Sequence, residues 1–200
     1  MRLVLASKSP RRREILSSLG LRFDIVSADA NESSDIRDPH ALVRELSLRK
    51  GRATRQLLQE RGEWNEDTLI IASDTVVAVE NEILGKPRDG ADAARMLTLL
   101  SGTHHHVISG ISLLMGNREI ADCDDTVVRF SPMTPKEIDW YVRSGEPMDK
   151  AGAYAIQGLA SIFIQGMEGC YFNVVGLPVH KLNTLLTAFM GEGIAALSAL

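Results

Sequence analysis

Residues 3–13, Leu-Val-Leu-Ala-Ser-Lys-Ser-Pro-Arg-Arg-Arg, set two hydroxyls, a lysine and three guanidinium groups beside a helix start. The apolar run 3–6 stops at Ser7-Lys8-Ser9-Pro10, and an amphipathic run with Ile15, Leu16 and Leu19 follows. That pattern reads as strand, small-residue loop and helix. Pro10 suits a first helical turn, with Ser9 as its cap. Backbone N–H groups there, the hydroxyls of Ser7 and Ser9, and the guanidinium groups of Arg11 and Arg12 would together hold an anion. A basic, solvated helix start uses the same residues. The carboxylates and lysines further along turn the reading towards phosphate.

The segment 68–75, Thr-Leu-Ile-Ile-Ala-Ser-Asp-Thr, runs a buried strand into a carboxylate and a hydroxyl. Ligands in α/β proteins gather at the carboxyl ends of strands, where Asp74 would bind a divalent cation or orient and deprotonate water. The alternative is an aspartate capping a turn. In Gly85-Lys86-Pro87-Arg88, Gly85 permits an unusual backbone angle and Pro87 stiffens the next step, which holds Lys86 on a defined loop. Lys50 shares a helical arc with Leu42, Leu46, Ala53 and Leu57, so it either snorkels outward or meets an anion. Glu32, in a polar loop ahead of that helix, is a solvated glutamate or a second carboxylate for a metal. Gln157, between Ile156 and Gly158, offers a donor and an acceptor to a nucleobase edge or to nearby backbone. The run His104-His105-His106 is not a metal site, because neighbours on a strand face opposite ways; one histidine would point inward.

These groups need a scaffold. Strand-like runs at 2–6, 22–27, 68–73, 75–80, 106–115 and 120–130 interleave with helical patterns at 10–20, 39–61, 90–100, 134–144 and 177–190. A turn falls at Glu80-Asn81-Glu82, and 173–178 reads as a strand-to-helix transition in which Pro178 begins the last helix. The segment 191–200 is Ala/Leu-rich and carries no evident chemistry. The whole is α/β, a mixed twisted sheet flanked by helices. Two hundred residues fit one domain, 1–200, with room for two lobes. A net charge of −4 argues against a nucleic-acid binder and, with a local cationic cluster, suggests a small polyanionic ligand. Cys123 and Cys170 form no CxxC motif, and no apolar run is long enough for a signal peptide or a membrane span, so a cytoplasmic protein is expected.

In order and spacing, Ala6-Ser7-Lys8-Ser9-Pro10-Arg11-Arg12, Ser73-Asp74-Thr75, Gly85-Lys86-Pro87, Ser101-Gly102 with His105-His106-Val107, Asp149-Lys150-Ala151-Gly152 and Val175-Gly176-Leu177-Pro178 resemble the Maf family of nucleoside triphosphate pyrophosphatases. The form Ala-Tyr-Ala-Ile-Gln-Gly at 153–158 is similar to the branch acting on dTTP and UTP. The resemblance implies Asp74 as proton acceptor, Arg11, Thr75 and Gln157 as governors of substrate choice, and Glu32, Lys50 and Lys86 in the phosphate and metal site. It also implies two lobes around a substrate cleft as in inosine triphosphatases, Mg²⁺ or Mn²⁺ as cofactor, and a homodimer. This chain has Asn31-Glu32 where the family usually has Asp-Glu. Competing readings are a nucleotide-binding regulator of cell division that does not turn over, and a house-cleaning pyrophosphatase for 7-methyl-GTP or inosine-type nucleotides.

Overall fold

The computed structural model describes residues 1–198. In chain order it contains β1 (Arg2–Leu5), α1 (Pro10–Ser18), β2 (Asp24–Ile25), α2 (Pro39–Glu60), β3 (Thr68–Val79), β4 (Glu82–Leu84), α3 (Gly90–Leu100), β5 (His104–Met115) and β6 (Arg118–Phe130). There follow α4 (Pro135–Arg143), three 3₁₀ turns, β7 (Ile164–Glu168), α5 (Tyr171–Val175), α6 (Val179–Met190) and α7 (Ile194–Leu197). The strands form a seven-stranded sheet in the order β2-β1-β3-β5-β6-β7, with β4 on β3. β1 pairs parallel to β2 and β3, whereas β4 runs antiparallel to β3 and β7 antiparallel to β6. The fold is thus mixed α/β. No helix among the described residues is long and apolar enough to cross a membrane.

The chain divides into two compact units. The first takes Met1–Asp74, Ser109–Asp124 and the described residues from Gly176 onward. Its apolar centre includes Val4, Val26, Leu58, Ile70 and Leu114. Ser9 caps α1 through its hydroxyl and Pro10 occupies the first turn; Asp38 and Pro39 do the same for α2. The second unit takes Thr75–Ile108 and Asp125–Val175, with a core that includes Leu84, Leu97, Phe130, Tyr141 and Phe163. Thr134 and Glu137 close a reciprocal capping box at the start of α4.

Several expectations need correction. Segments 68–73 and 75–80 are one strand, so Asp74 lies inside β3. The parallel ladder with β1 nonetheless ends at Leu5 and Ile71, so Asp74 sits beyond the carboxyl end of the parallel pairing. The buried stripe of α2 is Val43, Leu46, Ser47, Gly51, Thr54 and Leu58, one position on from the arc read from sequence. Residues 171–175 form a short helix rather than a strand, and Pro178 precedes α6 as its cap. Gly85 does not use a positive φ. A short helix interrupts the 191–200 segment, whose last two positions lie outside the described residues.

Candidate active site

In the first unit, the loop after β1 turns back on itself. Ser7 is buried, and its hydroxyl accepts from the Ser9 N–H at 3.2 Å and from an Arg12 Nη at 3.3 Å. With both lone pairs occupied, its remaining capacity is as an O–H donor, the polarity an anion requires. The Ser9 hydroxyl accepts from the Arg12 N–H at 3.5 Å, a long cap bond.

The Arg12 guanidinium turns inward. Its Nε donates to the Gly176 carbonyl at 2.7 Å and an Nη to the Ser73 carbonyl at 2.8 Å. Ser73 Oγ donates to the same Gly176 carbonyl at 3.1 Å. Arg12 therefore clamps the residue before Asp74 and the loop before α6 onto the start of α1. Burial lowers its pKa, opposed by the charge of Asp74 and assisted by that of Arg11. A guanidinium remains charged regardless. Arg11 follows the cap on the first turn of α1, half-exposed.

Asp74 is 7% exposed, a buried carboxylate that demands a partner. Lys50 supplies it. The Lys50 ammonium bonds Asp74 Oδ1 and, at 2.8 Å, Glu32 Oε1. Lys50 lies between Ser47 and Thr54 along the buried stripe of α2, so its stem is covered and its head is directed to these two carboxylates. Glu32 reaches the ammonium because Arg49, one residue earlier on α2, fastens the polar loop. Arg49 donates to the carbonyls of Ser33 at 2.8 Å and Asn31 at 3.3 Å, and pairs with Glu45 at 2.7 Å. Asn31 accepts from the Ser33 N–H at 2.9 Å through its side chain, closing an Asx turn that an aspartate would close equally well.

The remaining sequence candidates lie in the second unit. Thr75 follows Asp74 along β3 and is half-buried. Lys86 is exposed on a loop tied by the Gly85 carbonyl, which accepts from the Gly152 N–H at 3.0 Å. There the glycine requirement falls on Gly152, at φ +67°, where a Cβ would stand 2.7 Å from a Val77 methyl carbon. Gln157 is exposed on a bend, and its Nε2 donates to the Tyr171 hydroxyl at 2.9 Å. Of the three histidines only His105 is buried, bonded to the Tyr154 hydroxyl at 2.8 Å.

Two carboxylates converging on one ammonium mark a place where positive charge is stabilised. Among the described residues no three His, Cys, Asp or Glu side chains converge as a metal cage. Asp74 and Glu32 instead fit the way Mg²⁺ is commonly held, by one or two carboxylates with water and substrate phosphate completing the shell. Ser73 and Gly176 fall within the motifs Ser73-Asp74-Thr75 and Val175-Gly176-Leu177-Pro178, but nothing in the sequence gives them a role of their own, and nothing marks Arg49. The carbonyls of Ser73 and Gly176 accept from Arg12, and those of Asn31 and Ser33 accept from Arg49; a backbone carbonyl leaves no mark on residue type.

A family model described as Maf-like protein matches residues 2–189. A dTTP/UTP pyrophosphatase of Symbiobacterium thermophilum is 45% identical over 94% of this chain and 93% of its own. One of Clostridium perfringens is 45% identical over 93% and 96%, and one of an Anaeromyxobacter species 46% identical over 92% and 88%. Among solved structures, the Staphylococcus aureus Ham1 protein overlays with a TM-score of 0.44 at 13% identity, over 65% of this chain and 72% of that one, too slight a likeness to assign a fold.

Proposed function

This chain belongs to the Maf family, and from that membership we propose that it is a pyrophosphatase acting on dTTP and UTP. The reaction adds water at the α-phosphorus and breaks the bond to the β-phosphate oxygen. Its products are the nucleoside monophosphate and pyrophosphate. The observation that carries this reading is the Lys50 ammonium held between Asp74 and Glu32. A module that only bound a triphosphate would gain nothing from two carboxylates beside so anionic a ligand. A hydrolase needs one as a base.

Lys50 engages Asp74 Oδ1, so Oδ2 is the oxygen that orients and deprotonates the attacking water. Ser7 and the capped start of α1, with Arg11, face developing negative charge on the phosphates, and Lys86 adds a further cation to the leaving pyrophosphate. The third N–H of Lys50 is the one a phosphate oxygen would take. Arg12 acts by fixing the loop, given its bonds to the Gly176 and Ser73 carbonyls. Glu32 and Asp74 would hold Mg²⁺ or Mn²⁺, which when bound offsets phosphate charge and acidifies water. Arg11, Thr75 and Gln157 govern which base is accepted. The amide of Gln157 complements the alternating acceptors and donor of a uracil or thymine edge.

The test is pyrophosphate release from a panel of nucleoside triphosphates with Mg²⁺ or Mn²⁺, wild type against Asp74→Asn. Metal-dependent release from dTTP and UTP, lowered by about 10²–10⁴-fold in the variant, is the expected result. Tight nucleotide binding with no release from any of them would overturn hydrolysis in favour of a sensor. Release confined to a methylated or purine nucleotide would overturn the base assignment alone.

A further inference from the structure

Lys8 lies between Ser7 and Ser9, the two serines that shape the start of α1, so its Cα is about 3.8 Å from each of theirs. Its ammonium pairs with Asp29 Oδ1 at 3.0 Å. The pair is open to water at both ends, with 72% of the Lys8 side chain and 97% of the Asp29 side chain exposed. An ion pair in that setting contributes little to stability and exchanges readily for a more strongly charged partner.

Asp29 belongs to the polar loop that brings Glu32 to Lys50, yet that loop is fastened without it. Arg49 holds the carbonyls of Asn31 and Ser33, the Asn31 side chain holds the Ser33 N–H, and Lys50 holds Glu32 itself. What the Lys8–Asp29 pair changes is charge. From residue 7 to residue 13 the chain carries Lys8, Arg11, Arg12 and Arg13 and no acid, and the first turn of α1 has no carboxylate. Arg12 is turned inward onto the carbonyls of Gly176 and Ser73. Asp29 is therefore a carboxylate that the fold brings from a distant loop onto the lysine of this cationic stretch.

A triphosphate seated on the Ser7 hydroxyl and the first N–H groups of α1 brings more charge than one aspartate. The buried Ser7 is tied through Arg12 to the residue before Asp74, so the α-phosphate belongs at that end. Lys8, on the solvent side of Ser7, is left to the far end of the chain of phosphates. Its flexible four-carbon stem and three N–H donors suit a terminal phosphate, which offers oxygens in several directions. Resting on the assignment of the α1 start to the phosphates, we propose that Lys8 binds the pyrophosphate portion of the substrate and that Asp29 is the partner it leaves when the triphosphate arrives.

The experiment measures binding of inorganic pyrophosphate and of UMP by calorimetry with Mg²⁺, and kcat/KM for UTP, at about 0.15 M salt, where diffuse charge is screened. It compares wild type, Lys8→Met, Asp29→Asn and the double variant. Lys8→Met is expected to weaken pyrophosphate and lower kcat/KM for UTP by about five- to tenfold, while UMP affinity stays within about twofold. Asp29→Asn is expected to act in the opposite sense, tightening pyrophosphate about two- to threefold, and to add nothing once residue 8 is changed. A pair that only tethered the loop would give a loss in both single variants, since either one breaks it, and that result would overturn the proposal. So would a Lys8→Met protein that binds pyrophosphate as wild type does, or that loses UMP equally. Glu60→Gln and Arg61→Met make the same changes of charge at exposed positions about 15 Å along α2 from Lys50. Equal shifts in those two would assign the effect to net charge and remove Lys8 from the phosphates. Absence of UTP turnover in the wild type would count against the proposed function, and the pyrophosphate affinities would still decide the role of Lys8.

Discussion

At the scale of single residues, the site turns on one ammonium that two carboxylates share. Replacing Lys50 by Met leaves Asp74, almost buried, without its bonded cation and next to Glu32. An uncompensated buried charge of this kind costs on the order of 1–3 kcal/mol or more. The pair would then attract a divalent cation in the lysine's place. Lys50→Met should melt below wild type in the absence of metal and gain more in Tm on adding Mn²⁺ than wild type does. Adding Glu32→Gln should erase that extra gain. Equal Mn²⁺ responses in all three proteins would remove these carboxylates from the cation site. His105 supplies a second prediction. Burial, helped by the neighbouring His106 and His104, depresses its pKa to about 3, and the ring packs edge-on against Phe130 and Tyr154. An unfolded histidine titrates near 6.5, so below that pH the unfolded chain binds a proton that the native one does not. Stability from this group is thus complete above pH ~6.5 and declines by about 1.4 kcal/mol per pH unit as pH falls towards ~3. Urea unfolding at pH 7 and pH 5 should show wild type losing about 2 kcal/mol more than His105→Gln. An equal loss in both would mean that the ring is protonated in the native state.

At the scale of elements, α2 is what carries Lys50 to the carboxylates, and it can do so because it lies unusually close to β5. Gly110 marks the contact. A Cβ at that position would stand 2.2 Å from the Val43 carbonyl oxygen and 2.4 Å from its carbon. Backbone cannot swing aside as a flexible side chain would, so Gly110→Ala must push the helix outward. We expect a loss of about 1–3 kcal/mol, or about 2–4 °C in Tm for each kcal/mol in a chain of this size. Activity should fall further than the stability loss accounts for, because Lys50 moves with the helix. A melting temperature and turnover both at wild-type values would show that the helix is not held there. The elements that matter most were also the most legible. Ser9-Pro10 announces α1 by cap and first turn, and the long periodic runs around β3, α2 and β5 need no tertiary knowledge. Legibility fails where type and role separate. Asp74 interrupts an apolar run and so suggests a strand end, yet β3 continues because the next residues, Thr75-Val76-Val77, are again good strand formers. The short helix at Tyr171–Val175 follows Cys170 through residues whose β-branched pair favours extension, and tertiary contacts override that preference. Nothing in the sequence around Arg49 says that it will bind the carbonyls of a loop sixteen to eighteen residues back.

At the scale of the whole molecule, the chain is acidic while its candidate site is not. The net charge of −4 repels a triphosphate at long range, and on the proposed function the attraction comes from a few placed cations, Arg11 and Lys50 of the first unit among them. The two contributions respond differently to salt. The diffuse repulsion is screened once ionic strength brings the Debye length to about 8 Å, near 0.15 M. Attraction at the half-exposed Arg11 and at Lys50 acts over contact distances and is screened less. From 0.02 M to 0.15 M salt the two changes therefore oppose each other, and KM for UTP should vary by no more than about twofold. Above that range the contact attractions themselves weaken, and KM should rise while kcat changes little, because the water, its base and the α-phosphorus are already in place once the substrate is bound. A protein that captured polyanions by its overall field would behave in another way. Its affinity would fall steeply and steadily from the lowest salt, as nucleic-acid binders do through counterion release. A KM profile that climbs by orders of magnitude between 0.02 M and 0.15 M would show that long-range attraction, rather than these few placed cations, brings the substrate in.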